Sequence, residues 1–220
     1  MYYFNGLIRN NRNIKYVTTH HEQAAALAAE GYSRMHNKLG CCIVTSGPGG
    51  TNAITGVLCS WLDSIPMIVI SGQVNKEMTT DYTKLNLRQL GDQEFDIITS
   101  VKNMTKYAVQ VNDSDTIKYH LEKACLEATT GRPGPVWIDI PLNVQSAEIQ
   151  PDELAGWNEQ PIVHKATKLQ IDEIIQQWKK AKRPLIIVGN GVRLGGAVEE
   201  LRVLLNKTIS QQYQQLMVMM

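Results

Sequence analysis

Strand-sized apolar runs alternate along the chain with stretches whose apolar positions recur every three to four residues. Residues 2–10 read as the remainder of a helix, and 14–18 as a short β-rich run. Within Glu22–His36, residues Ala24, Ala25, Leu27, Ala28, Gly31, Tyr32 and Met35 fall near a 3.6-residue repeat, which predicts a helix. Residues 37–40 break it. Residues 41–46 form a continuous apolar run that ends in Gly47-Pro48-Gly49-Gly50, and 51–62 are helical again. A second apolar run covers 66–71. Residues 75–92 are polar, with little periodicity, and predict a long loop; such loops in compact domains are often functional. A short helix over 93–101 and a strand over 106–111 follow. A helix over 113–129, capped by Asn112 or Asp113, leads to a turn at Gly131-Arg132-Pro133-Gly134-Pro135. A last strand over 136–140 ends at Pro141.

Runs that are apolar throughout belong to strands covered on both faces. Interleaved with helices, they predict an α/β domain with a doubly wound parallel sheet over residues 1–141. Residues 14–18, 41–46, 66–71 and 136–140 are expected as parallel neighbours. Residues 142–165 carry Pro151, Gly156 and Pro161 with little periodicity, and predict a linker. A helix over 166–182, a strand over 184–188, a turn at 189–191 and a helix over 197–205 predict the start of a second α/β domain over 166–208. Residues 209–220, rich in Gln and Met, match nothing upstream and read as an aberrant tail.

Composition narrows the classes. Of 220 residues, 43% are hydrophobic and 20% charged, which leaves out wholesale disorder, a collagen-like fibre and a coiled-coil rod. The net charge of +1 lacks the broad basic field that holds nucleic acid. No apolar run approaches the roughly 20 residues that cross a bilayer, and the first residues lack the order of a signal peptide. Cys41, Cys42, Cys59 and Cys125 form no Cys-x-x-Cys and read as buried reduced thiols, so a cytoplasmic location is expected.

Candidate chemistry gathers where strands become helices. Glu22 falls in a first helical turn, where the helix dipole favours a negative charge. It is either a first-turn acid that improves the helix or a carboxylate held at the carboxyl end of a parallel strand, where ligands of α/β sheets bind. His20 and His21 are adjacent and lack a third ligand at useful spacing, which argues against a metal. Ser46-Gly47-Pro48-Gly49-Gly50-Thr51-Asn52 is a strand–turn–helix junction; glycines there allow close approach of a ligand, or simply a tight turn. It is neither a dinucleotide fingerprint nor a Walker loop. Gln73 ends the next strand, so Glu22, Gly47 and Gln73 are expected along one rim of the sheet. Gln93-Glu94, at the end of the long loop, could reach that rim, but a solvated pair is the simpler reading; Arg132 reads as an exposed turn residue.

Five segments in order carry a resemblance: His21-Glu22-Gln23-Ala24-Ala25, the stretch 29–34, Val44-Thr45-Ser46-Gly47-Pro48-Gly49-Gly50-Thr51-Asn52, the stretch 63–74 and the stretch 131–141. Together they resemble the N-terminal pyrimidine-binding domain of thiamine-diphosphate enzymes, most nearly the acetohydroxyacid (acetolactate) synthase large subunits. The resemblance runs from the first residues to about Lys207. It implies a transferase of branched-chain amino-acid biosynthesis that decarboxylates a 2-keto acid such as pyruvate and joins the remainder to a second keto acid. It gives Glu22 the role of hydrogen-bonding the cofactor's aminopyrimidine ring nitrogen. That bond favours the imino tautomer, which removes the thiazolium C2 proton. It places Gly47, Pro48 and Gly49 beside the pyrimidine and Gln73 near the reacting centre.

The resemblance also implies Mg2+ held through the cofactor's diphosphate by a separate domain, FAD in some members, and a homodimer or homotetramer. The Gly-Asp-Gly…Asn motif for magnesium does not occur in this sequence, and the chain is expected to be an inactive fragment lacking its first strand. Asp92 stands before Gln93-Glu94, where the synthases often carry Phe. The alternatives are another thiamine-diphosphate keto-acid decarboxylase or ligase, and a non-catalytic dimerisation or regulatory module of the same fold.

Overall fold

A computed structural model of the chain describes residues 11, 13–159, 165–211 and 217–219. The helix expected over 2–10 lies outside the described residues. The chain divides into two compact units, Met1–Pro161 and Ile162–Met220.

In the first unit, α1 (Glu22–His36) leads to β1 (Gly40–Val44), α2 (Pro48–Leu62) and β2 (Met67–Gln73). After a loop come α3 (Ile97–Val101), β3 (Tyr107–Gln110), α4 (Ile117–Thr129) and β4 (Pro135–Pro141). The four strands form one sheet in the order β1-β2-β4-β3, every pair parallel. Both faces are covered, and successive residues serve opposite faces. Val69, Met67 and Trp137 join Ala26, Ala29, Ala53, Val57, Ile97 and Val101 on the face packed by α1, α2 and α3. Ile68, Val136, Ile138 and Ile140 join Ala124 and Ala128 of α4 on the other. In β2 and β4 this double burial is why the strands read as unbroken apolar runs, whereas the edge strand β1 alternates, with Cys41 exposed.

One expected strand is absent. Residues 14–18 have no ladder partner, and Ile14, Tyr16 and Val17 are exposed. β-branched residues favour extended backbone, but a strand exists only where a neighbour takes up its N–H and C=O groups. The fourth place in the sheet belongs to β3, the run expected over 106–111.

Boundaries moved for local reasons. Helix α2 starts at Pro48, three residues before the expected 51: Pro is suited to the first helical position, and Gly47 supplies a φ of +56° as the residue before it. Helix α3 starts at Ile97 because Asp96 caps it, accepting from Thr99 N–H at 3.0 Å. The helix expected from 113 opens as a 3-10 turn, Ser114–Thr116, capped by Asp113. The long loop contains a 3-10 turn, Lys76–Met78, and a short helix, Thr80–Thr83.

On the outer side of α1 and α2, Leu27, Tyr32, Met35, Leu58, Trp61 and Leu62 are exposed. In the stretch after β4, Leu142–Gln145 forms one helical turn, and Trp157 packs edge-on against Tyr119 of α4 and over Lys123 Nζ at 4.3 Å. In the second unit, α5 (Lys168–Lys180) opens on a capping box between Thr167 and Gln170. It is followed by β5 (Leu185–Ile187), α6 (Val198–Gln211) and β6 (Met217–Met219), which pairs in parallel with β5. Helix α6 thus continues into the stretch that reads as an aberrant tail. Among the described residues, no helix is long and apolar enough to cross a membrane.

Candidate active site

Three junctions line the rim at the carboxyl ends of the strands. At the first, His21 caps α1, its Nδ1 accepting from Gln23 N–H at 3.1 Å. This places Glu22 at the start of the helix, half-buried, with Oε2 accepting from Asn52 Nδ2 at 3.0 Å. Asn52 belongs to α2, so the carboxylate is oriented by a helix other than its own. No hydrogen bond from a described residue reaches Oε1. His21 thus serves as the cap of α1, and no group of three or more His, Cys, Asp or Glu that could hold a metal occurs among the described residues.

At the second junction, Gly47 is buried with φ +56° and ψ −120°, a conformation that essentially only glycine adopts. A Cβ on it would lie 2.4 Å from the Gln93 carbonyl oxygen. Pro48 starts α2. A Cβ on Gly49 would stand 2.5 Å from Thr45 Cγ2 and 3.6 Å from Glu22 Oε1, so the missing side chain leaves space in front of the unpartnered carboxylate oxygen. Gly47→Ala should therefore lower stability by about 1–3 kcal/mol, from strain and displacement of the segment around Gln93; a melting temperature equal to the parent's would show that the junction yields freely.

At the third junction, Gln73 is buried at the end of β2. Its Nε2 donates to the Phe95 carbonyl at 2.9 Å and to Asp139 Oδ2 at 3.1 Å. Glu22, Gly49 and Asn52 therefore meet directly. Gly47 and Gln73 are linked through one segment, with the Gln93 carbonyl beside Gly47 and the Phe95 carbonyl on Gln73. Gln93 itself takes a φ of +56°, and Ile97, four residues on, contacts the position a Cβ on Gly50 would fill.

Glu94 is not a solvated residue. Its Oε1 accepts from Thr80 N–H at 2.7 Å and Thr80 Oγ1 at 2.8 Å, and its Oε2 from Leu90 N–H at 2.8 Å. Burial pushes its pKa up, but these donors more than offset that, and the net position is below the usual carboxylate range. Glu94 thus ties both ends of the loop over 80–90 to the rim. Arg132 donates to Ser64 Oγ at 2.6 Å and belongs to the opposite end of the strands.

Asp139, within β4, gives no sequence signal as a site residue. It is 2% exposed. Burial pushes its carboxyl up to about 7; hydrogen bonds from Ser71 and Gln73 offset part of that, and Asp96 adds to it. A carboxyl whose pKa is raised on folding binds its proton more tightly in the native state. Its stabilising effect is present below about pH 4 and is lost as pH rises through about 7. Asp139→Asn should flatten the fall in melting temperature between pH 5 and pH 8; an unchanged slope would assign the pH dependence elsewhere. Cys42 is shifted too, to about 12, by burial first and then by the charges of Cys41 and Glu22. That thiol is inert, and all four cysteines are free.

Comparison with known proteins fits this arrangement. Residues 1–100 match the family model described as thiamine pyrophosphate enzyme, N-terminal TPP binding domain. The acetolactate synthase large subunit of Lactococcus lactis subsp. lactis (strain IL1403) is 36% identical over 203 residues, covering 91% of this chain and 34% of the relative. The probable acetolactate synthase large subunit of Methanococcus aeolicus is 40% identical over 200 residues, covering 87% and 32%. The acetolactate synthase isozyme 2 large subunit of Escherichia coli (strain K12) is 36% identical over 198 residues, covering 89% and 34%. The chain spans about a third of the length of the curated relatives it matches. With a parallel α/β sheet and a carboxylate at its rim, the chain is similar over residues 1–100 to the N-terminal TPP binding domain of thiamine pyrophosphate enzymes, and over most of its length to part of the acetolactate synthase large subunits.

Proposed function

We propose that this chain supplies the pyrimidine side of a thiamine diphosphate site in an acetolactate synthase. One observation carries the reading: Glu22 Oε1 is an acceptor without a partner among the described residues, at the rim of a parallel sheet, its carboxylate oriented by Asn52, with Gly49 leaving space in front of it. An aminopyrimidine fits that space because its ring nitrogen, when protonated, is a donor for Oε1. Thiamine diphosphate supplies the decarboxylation of a 2-keto acid such as pyruvate and its joining to a second keto acid.

The residues of this chain do the rest. Glu22 accepts and holds a proton's hydrogen bond at Oε1, a charge-assisted contact that favours one tautomer of the ring. Asn52 keeps the carboxylate from turning away. Gly47, Pro48 and Gly49 form the wall beside the ring, and Gln73 lines the rim nearer the reacting atoms. Magnesium belongs to the diphosphate end of the site, and FAD, where bound, to a central domain; we assign both to regions other than the first unit, Met1–Pro161. The exposed apolar residues of α1 and α2, Leu27, Met35, Leu58 and Leu62 among them, support assembly as a homodimer. Four free cysteines support a cytoplasmic location.

The test is turnover in a chimera. This chain replaces the matching third of the Lactococcus lactis large subunit, and acetolactate is measured with pyruvate, thiamine diphosphate and Mg2+. Acetolactate formation that requires thiamine diphosphate is expected. No turnover, in a chimera that folds and in which the equivalent third of the Escherichia coli isozyme 2 subunit is active, would overturn the reading.

A further inference from the structure

Behind Gln73 lies a buried polar group that the proposed chemistry does not use. Asp139 stands opposite Ser71 in the parallel register of β4 and β2. Its Oδ1 accepts from Ser71 Oγ at 2.5 Å and its Oδ2 from Gln73 Nε2 at 3.1 Å. Trp137 Nε1 donates to Ser71 Oγ at 2.8 Å. All these residues are buried. The Gln73 amide is held from both ends: Nε2 faces two acceptors, Asp139 Oδ2 and the Phe95 carbonyl, and Oε1 accepts from Val74 N–H at 3.0 Å. Turned over, the amide would set its oxygen against a carboxylate and a carbonyl, and its NH2 against an N–H. One orientation is therefore selected, and the capacity left over is a single lone pair on Oε1.

We propose that Asp139 is a positioning residue that locks the Gln73 amide, so that Gln73 meets a ligand only as a hydrogen-bond acceptor. The inference rests on reading Gln73 as lining the site. Its chemical consequence is specific. The group that Gln73 recognises is a donor, a hydroxyl or an amine N–H, and not the carboxylate or keto oxygen of a 2-keto acid.

The lock holds in either protonation state of Asp139. As a carboxylate, Oδ2 accepts from Gln73. When protonated, Oδ1 carries the proton toward the Ser71 oxygen, and Oδ2 still accepts. An Asn in its place reproduces the second state, with its NH2 toward Ser71 and its oxygen toward Gln73. An Ala reproduces neither.

The experiment reads the side-chain amide of Gln73 by NMR in the 15N-labelled 220-residue chain without cofactor, the signal being identified by its loss in Gln73→Met. Slow exchange of the Nε2 protons is expected in the parent and in Asp139→Asn. In Asp139→Ala, exchange should be about tenfold faster or more, the loss of one buried hydrogen bond, while the backbone amides of residues 136–138 stay protected. Asp139→Leu, which removes both acceptors but keeps the buried volume, is read in the same way should the Ala variant not fold. Parent-like exchange of Gln73 in either variant, with the sheet intact, overturns the proposal. Because no cofactor is present, that result would leave the Glu22 reading standing; a chimera without turnover would remove the Glu22 reading and leave the lock.

Discussion

Replacing Glu22 by Gln in the active chimera should lower acetolactate formation by about 10²–10⁴-fold, the range for losing a positioned proton-transfer partner. The carbamoyl group has almost the shape of the carboxylate, and its oxygen can still accept from Asn52 Nδ2. What is lost is the negative charge facing the space beside Gly49. A neutral amide neither stabilises a protonated ring nitrogen nor makes a charge-assisted bond to it. Stability should change little, by about 0.3–1 kcal/mol, because Glu22 also favours the start of α1 through the helix dipole. The measurement is kcat alongside the melting temperature. Full activity in a folded Glu22→Gln chimera would remove Glu22 from the chemistry and leave it as a first-turn acid.

Trp137→Ala should cost about 3–5 kcal/mol, the range for truncating a fully buried large aromatic. Trp137 has no exposed surface, lies in the second strand from the β3 edge, and packs with residues from α1, α2 and α3. Its indole also donates to Ser71 Oγ, so the loss reaches the polar group behind Gln73. Denaturant unfolding of the parent and the variant gives the difference. Trp137→Phe keeps most of the apolar volume and removes the donor, and should fall between the two. A Trp137→Ala chain that loses less than about 1 kcal/mol would mean that this face is not packed as described.

The parallel sheet was legible because each inner strand is apolar on both sides. Ile68 and Val69 of β2 and Val136 and Trp137 of β4, successive residues that are all buried, could not sit in a half-solvated antiparallel sheet without exposing one face. The helix boundaries were less legible, since they depend on single residues. Local composition places Pro48 in a turn, but it is equally at home as the first residue of α2 once Gly47 adopts a positive φ. The run over 14–18 has the composition of a strand, and composition cannot say whether a neighbour is present to complete the ladder.

The site divides in the same way. Glu22, Gly47, Gly49 and Gln73 were found from local rules: a carboxylate in a first turn, glycines at a strand–helix junction, a polar residue ending an apolar run. Those rules depend on near neighbours, so the sequence by itself determined which residues reach the rim. It did not determine their partners. Asn52 lies 30 residues from Glu22, Asp139 lies 66 from Gln73, and Glu94 fastens backbone that is 14 residues away. In sequence, Asn52 is one polar helix residue among several, Asp139 interrupts an apolar strand, and Glu94 looks like half of an exposed pair. Only the tertiary structure decided that they orient the rim, because hydrogen bonding acts over about 3 Å and depends on which strands and helices the fold sets side by side.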